Sequence, residues 1–122
     1  MPSTATVAVK RFDSPDEVRP FVGHGHVDVV EVGGRPVGRG EFEPGWRWSQ
    51  DVKPIAGTDS CQVSHLGYVE SGRMRIYMDD GSRQDLGPGD VVAIPPGHDA
   101  ETLGDEPCVV LDFGEITEYA KR

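Results

Sequence analysis

The sequence predicts an all-β fold, a closed barrel or jelly roll in one domain. Three observations carry that prediction. Short apolar segments recur with strict alternation, as where Met74, Ile76 and Met78 interleave with Arg73, Arg75 and Tyr77; a period of two marks a strand with one buried face. Sixteen glycines and ten prolines punctuate those segments in small clusters, where tight turns need them. At 122 residues the chain can bury one core of moderate size, with no room for a second.

The elements follow in order. Residues 1–6 read as a tail, and Val7 to Phe12 can pair as a strand. Ser14-Pro15-Asp16-Glu17 has the order of a helix start, with Ser at the N-cap, Pro at the first helical position and an acid to reach back, so one helical turn is expected there. Residues 1–26 thus form a tail, strand and connector before a barrel over 27–113, and 114–122 form a second tail. Val27 to Val32 is β-branched, Gly33-Gly34 is a hairpin turn, and Val37 to Phe42 runs back. Glu43-Pro44-Gly45 ends that strand. Trp46-Arg47-Trp48 follows, and alternation puts both indoles on one face, where they fill core or wall a pocket.

Residues 51–60 read as a loop, and Cys61 to Val69 as the next strand. Cys61, Val63, His65, Gly67 and Val69 share one of its faces, and Tyr68 the other. Gly72 breaks it. Arg73 to Met78 and the segment up to Leu86 form a hairpin about Asp80-Gly81. Gly87-Pro88-Gly89-Asp90 turns the chain into Val91 to Ile94, a buried strand. Pro95-Pro96-Gly97 makes a corner, a short strand runs to Leu103, and Gly104 to Pro107 turns into Cys108 to Phe113. About nine or ten short strands with little helix suit a closed β architecture.

Composition narrows the function. Twelve Lys and Arg against 21 Asp and Glu give a net charge of −9. Such a surface repels phosphate backbones and anionic lipid, so neither nucleic acid nor a membrane is an expected partner. The first residues lack the apolar run of a signal peptide, and no segment approaches the roughly 20 apolar residues of a membrane span. A cytoplasmic location is expected, with Cys61 and Cys108 as free thiols.

The stretch from Val63 to His98 carries a family resemblance. Gly89, Pro95 and Gly97 match in register the motif G-x5-P-x-G-x2-H-x3-N. Tyr68-Val69-x-Ser71-Gly72 matches the end of a second motif, G-x5-H-x-H-x3-4-E-x6-G. These motifs are those of the cupin family, which the chain resembles over roughly residues 27–113. The departures are specific. The motif histidine after the corner falls on Ala100, with His98 two residues earlier, one strand repeat away. Counted back from Gly72, the motif glutamate falls on His65 and the two histidines on Asp59 and Cys61, or on Thr58 and Ser60; counted forward from Gly45, they fall on Asp51 and Lys53. A rival register, His24-Gly25-His26 with Glu31 and Gly38, spells H-x-H-x4-E-x6-G literally.

The resemblance implies a cupin jelly-roll β-barrel and a homodimer. It also implies a metal centre where imidazoles and an anionic ligand converge inside the barrel. The candidate ligands are His65 and His98, with Asp51, Asp59 or Cys61 as the third. Mixed nitrogen and oxygen donors suit Zn, Fe, Mn, Ni or Cu, and a thiolate moves the balance toward zinc. Asp99 and Glu101 flank His98 as candidate orienting partners. Trp46, Trp48, Tyr68, Met74 and Met78 are candidate walls of a small-molecule pocket, Tyr68 despite facing away from His65 by alternation. Cys61 and His65, four apart, would stand about 13 Å apart along one strand, too far for a thiolate–imidazolium pair. Two functions fit this pattern. One is a metal-dependent enzyme acting on a small organic substrate; the other is a metal-free barrel that binds a metabolite as sensor or carrier. Metal-free acid–base catalysis by His65 or His98 is a third.

Overall fold

The computed structural model describes residues 6–122; the expected tail at 1–6 lies, but for Thr6, outside them. Nine strands are described: β1 (Glu17–Pro20), β2 (Gly25–Val32), β3 (Arg35–Phe42), β4 (His65–Ser71), β5 (Arg73–Met78), β6 (Arg83–Leu86), β7 (Val91–Ile94), β8 (His98–Leu103) and β9 (Cys108–Asp112). They form two antiparallel sheets, one ordered β1-β2-β3-β9-β4-β7 and the other β6-β5-β8. The fold is the all-β barrel that the alternation predicts. Among the described residues no helix is long and apolar enough to cross a membrane.

The hairpins form at Gly33-Gly34, where Val32 pairs with Arg35, and at Asp80-Gly81, where Tyr77 pairs with Arg83. Gly72 passes the chain from the large sheet to the small one. Its φ is +75°, and a β-carbon there would lie 2.2 Å from the Pro107 carbonyl oxygen, so only glycine fits. β9 slots between β3 and β4 and joins the two halves of the large sheet.

Three expectations about the first half are corrected. No strand forms over Val7 to Phe12, where Val7 and Val9 are exposed. Ser14 to Asp16 forms no helical turn; the chain turns just before, at Phe12-Asp13, where the Ser14 N–H donates to the Arg11 carbonyl at 3.2 Å, and β1 starts at Glu17. That strand was hidden because Arg19 holds its buried inward position and Pro20 ends it, as edge strands allow. Residues 51–60 are not all loop: α1 (Trp48–Asp51) and α2 (Lys53–Ala56) occupy this region.

The core lies between the sheets. Phe21, Phe42 and Trp46 form an aromatic cluster with centroids 4.6–5.8 Å apart. The segment 114–122 carries no strand or helix, yet Ile116, Tyr119 and Ala120 are buried. Arg19 holds it down: its Nη1 donates to the carbonyls of Ile116 (2.5 Å) and Tyr119 (2.9 Å), and Glu17 pairs with the same guanidinium at 2.8 Å. Charged donors to buried carbonyls are among the stronger hydrogen bonds in a protein. Arg19→Met is therefore expected to lower the unfolding free energy by about 2–4 kcal/mol, read as an earlier urea midpoint. An unchanged midpoint would mean that packing alone holds the segment.

Candidate metal centre in the barrel

β8 begins at the Pro95-Pro96-Gly97 corner, and its alternation turns His98, Ala100 and Thr102 inward. His98 is therefore buried, although it precedes the motif position by two residues. Its Nδ1 bonds the Pro95 carbonyl at 2.8 Å. A carbonyl only accepts, so Nδ1 carries a proton and Nε2 is the nitrogen left to meet the other side chains of the site.

His65 opens β4 opposite Ile94 of β7. Its Nδ1 lies 2.6 Å from Asp112 Oδ2 on neighbouring β9. Asp112 is fixed in turn, because Oδ1 accepts the Gly114 N–H at 2.9 Å. A carboxylate behind an imidazole sets the ring's tautomer and orientation and raises its basicity. His65 Nε2 then points away from Asp112, toward the Cys61 Sγ at 3.7 Å.

That contact corrects the expected strand separation. Cys61 is not on β4. It bridges to His98, its N–H donating to the His98 carbonyl at 2.7 Å, while His65 pairs within the large sheet. Residues 62–64 cross from one wall to the other, so residues 61 and 65 face each other across the interior. Cys61, His65 and His98 each offer a ligand atom, all within 4.8 Å of one another. The His65 and His98 rings meet edge to face, centroids 5.3 Å apart.

The charges follow from the packing. Burial pushes the Cys61 thiol up, but hydrogen bonds from His65 and His98 and their charges outweigh it and bring it down to about 6. Burial pushes His65 down, but its bonds to Asp112 and Cys61 and their charges outweigh that and hold it at about 9. Without a metal this is a thiolate–imidazolium pair. Tyr119 stands edge-on to His65, centroids 5.0 Å apart. Burial, with the charges of Cys61 and Asp112, pushes its phenol far up, so it stays protonated. Cys108, the other free thiol, is pushed up to about 12 by burial and by Glu106 and takes no part.

The donor set fits a divalent metal. Bonds of about 2.0–2.3 Å at tetrahedral angles place neighbouring donors about 3.3–3.8 Å apart. The Cys61–His65 separation already lies in that range, and the remaining pairs lie within 4.8 Å. Each imidazole has its Nδ1 engaged from behind, by a carboxylate for His65 and a carbonyl for His98, which leaves Nε2 as the ligand atom, as in metal-bound histidines. Three protein ligands leave a coordination position open.

The other proposed ligands sit elsewhere. Asp51 is at the end of α1, where it accepts from the Arg47 backbone N–H (3.0 Å) and contacts His24 Nδ1 (3.1 Å); the helix turns it away from the barrel interior. Asp59 is exposed and lies 3.9 Å from the Lys53 Nζ. The rival register does not assemble: His24 is tied to Asp51, and His26 lies on a separate surface between Asp28 (3.4 Å) and Glu41 (3.8 Å). Asp99 and Glu101 point outward, Asp99 accepting the Ser49 N–H at 3.0 Å and Glu101 pairing with Arg47 at 2.8 Å, so neither orients His98.

A cavity of about 50 Å³ adjoins the centre, where about 10–15 Å³ admits one water. His65, His98 and Asp112 line it, as do the sequence-predicted walls Trp46, Trp48 and Met74. Met78 packs against the core outside this lining. Tyr68 is on the outer face of the large sheet and 40% exposed, as alternation from His65 requires. Asp112 and Tyr119 were missed. Asp112 was within reach, because Cys108, Val110 and Asp112 share one face of β9; Tyr119 had no periodic signal.

Residues 56–114 match the family described as Cupin domain. The chain is similar in structure to a protein of unknown function (DUF1255) from Acidithiobacillus ferrooxidans, at 21% identity and TM-score 0.58, covering 88% of this chain and 89% of that one. It is similar to KdgF from Halomonas sp., at 16% identity and TM-score 0.60, covering 92% and 96%. It is also similar to the oxalate decarboxylase of Lactobacillus farciminis, solved as a formate complex, at 17% identity and TM-score 0.64. That match covers 94% of this chain but 34% of the decarboxylase. At these identities the likenesses show the fold. No curated protein matches the sequence.

Proposed function

A cupin domain occupies residues 56–114 of this chain, and from that premise we propose that Cys61, His65 and His98 hold one divalent metal, which presents a small organic molecule to the barrel cavity. The observation that carries this reading is the convergence of three ligand atoms within 4.8 Å beside a mostly apolar cavity, with both imidazoles fixed from behind. The thiolate favours zinc or iron over manganese. When bound, the metal supplies a Lewis acid for a carbonyl or carboxylate oxygen. The chain's own residues do the rest: Asp112 orients His65, Pro95 orients His98, and the apolar wall excludes water.

Cobalt(II) tests the reading. Added to metal-free protein, it is expected to bind at one equivalent and give a near-ultraviolet thiolate charge-transfer band. Cys61→Ser is expected to abolish the band, while Cys108→Ser keeps it. A band that survives Cys61→Ser removes this centre. Metal-free protein that binds a metabolite but no cobalt returns the reading of a sensor or carrier.

The barrel is also proposed to work as a homodimer. Leu66 and Tyr68 on β4, Val91 on β7 and Phe113 after β9 are 40–75% exposed, and Tyr68 pairs with both Val91 and Leu111. This apolar strip runs along the sheet edge formed by β7, whose outer backbone groups lack a neighbour strand. Copies of charge −9 repel one another except through an uncharged face, which commits the strip to a second copy. Leu66→Lys with Val91→Lys is expected to halve the mass seen by light scattering; an unchanged mass would exclude this face.

A further inference from the structure

The wall of the barrel cavity is fixed unevenly. Of the residues that line it, only Trp46, Ile116 and Tyr119 lie outside strands and helices. Trp46 is tied by both main-chain groups, its N–H donating to the Glu43 carbonyl and its carbonyl accepting from Thr102. Ile116 and Tyr119 belong to the last segment of the chain. That segment is well anchored at its start, where the N–H groups of Phe113 and Glu115 donate to the carbonyls of Leu66 and Ser64. Gly114 packs so close that a β-carbon there would lie 2.7 Å from the Leu66 nitrogen. Past Glu115 this attachment stops. Among the described residues, the hydrogen bonds of 116–122 either stay within 114–122 or come from the Arg19 guanidinium.

The same segment is strained. Ala120 has φ +53°, a left-handed backbone that a residue with a β-carbon adopts only where its surroundings force it. Opening releases that strain. Burial works the other way: Ile116, Tyr119 and Ala120 are all buried, which keeps the closed form the major one. A stretch held by one side chain and its own packing opens at lower free energy than laddered strands do. What it covers is the candidate centre. Tyr119 stands edge-on to His65, centroids 5.0 Å apart. Cys61, 3.7 Å from the His65 ring nitrogen, is 2% exposed and outside the cavity lining, so a solute reaches it only when a wall moves.

We propose that residues 116–122 are a gate in the barrel wall, hinged after Glu115 and latched by Arg19, whose opening admits solutes to His65 and Cys61. The gate goes beyond the metal reading and does not need it. The two buried thiols test it in wild-type protein freed of metal. Iodoacetamide labels each thiol only when it opens to solvent, and peptide mass spectrometry counts Cys61 and Cys108 separately. Cys108 lies on β9, between β3 and β4, so its labelling is expected to rise with urea at the slope of full unfolding. Cys61 is expected to label with a shallow urea dependence, the mark of a local opening that exposes little surface. Arg19→Met is expected to speed Cys61 labelling about 10–100-fold, as the loss of hydrogen bonds from a charged group does, with the slope still shallow.

Labelling of Cys61 as steep in urea as that of Cys108 overturns the proposal, since the segment then leaves only when the barrel unfolds. Shallow labelling of Cys61 that Arg19→Met leaves unchanged overturns it too, because the route to the thiol then lies elsewhere. The wild-type urea series carries the test even where the variant fails to fold. The two readings also separate: shallow labelling in protein that takes up no cobalt keeps the gate and removes the metal. Cobalt uptake by protein whose Cys61 opens only on unfolding does the reverse.

Discussion

Replacing His65 and His98 together with alanine is expected to strip the purified protein of bound metal while leaving it folded. The two rings supply two of the three ligand atoms that converge in the barrel, and a lone Cys61 thiolate cannot hold a divalent ion against water. Losing a ligand should cost more than the 10–100-fold typical of losing its orienting partner. The fold should survive. His65→Ala leaves Asp112 with its Gly114 bond, and His98→Ala leaves one carbonyl, Pro95, without its donor. Each orphaned group costs about 1–3 kcal/mol, within the stability of about 5–15 kcal/mol usual for a domain. Elemental analysis of untagged protein, with circular dichroism to confirm the fold, makes the measurement. Equal metal in wild type and double variant would place the ion elsewhere, with the cleft of His26, Asp28 and Glu41 the first place to look.

The residues explain how far the sequence could be read. Hairpins and alternating strands are local, so most of β2 through β9 follows from turn glycines and a period of two; but β4 starts at His65 and not at Cys61, and β7, expected to be buried, leaves Val91 75% exposed at the sheet edge. β1 follows from neither signal, because its inward position is Arg19, whose partners are carbonyls about a hundred residues away. His65 and His98 could be found because they sit near motif glycines and prolines. Cys61 could be named but its pairing with His65 could not, since a strand through residues 61–69 would have held the two apart. Where a chain leaves one sheet for another is decided by packing, and no pattern in CQVSH records it. Asp51 illustrates the reverse error. Its spacing matched a motif count, but the short helix around it gave the carboxylate nearer partners in Arg47 and His24.

The affinity for metal is expected to climb with pH, and the sign follows from the pair. Metal ligation needs a thiolate and a neutral imidazole. Between about 6 and 9 the metal-free site already has the thiolate, since Cys61 titrates at about 6, but still holds the proton on His65, which titrates at about 9. Binding must expel that proton, so affinity should rise about tenfold per pH unit across this window. Above about 9 the His65 proton is gone and its share of the slope vanishes. Below about 6 the Cys61 thiol must be deprotonated too, and the dependence steepens. Asp112→Asn separates orientation from charge. Burial already pulls His65 down, and the Asp112 bond and charge raise it together with those of Cys61; with an amide at 112, His65 should lose its proton at lower pH. The variant is then expected to bind zinc about 10–100-fold more weakly at high pH and to show a flatter slope between neutrality and pH 9. Zinc competition against a chromophoric chelator, corrected for the chelator's own protons, reads both. A merely structural loss would shift the whole curve and keep its slope, and that result would remove Asp112 from the proton balance of the site.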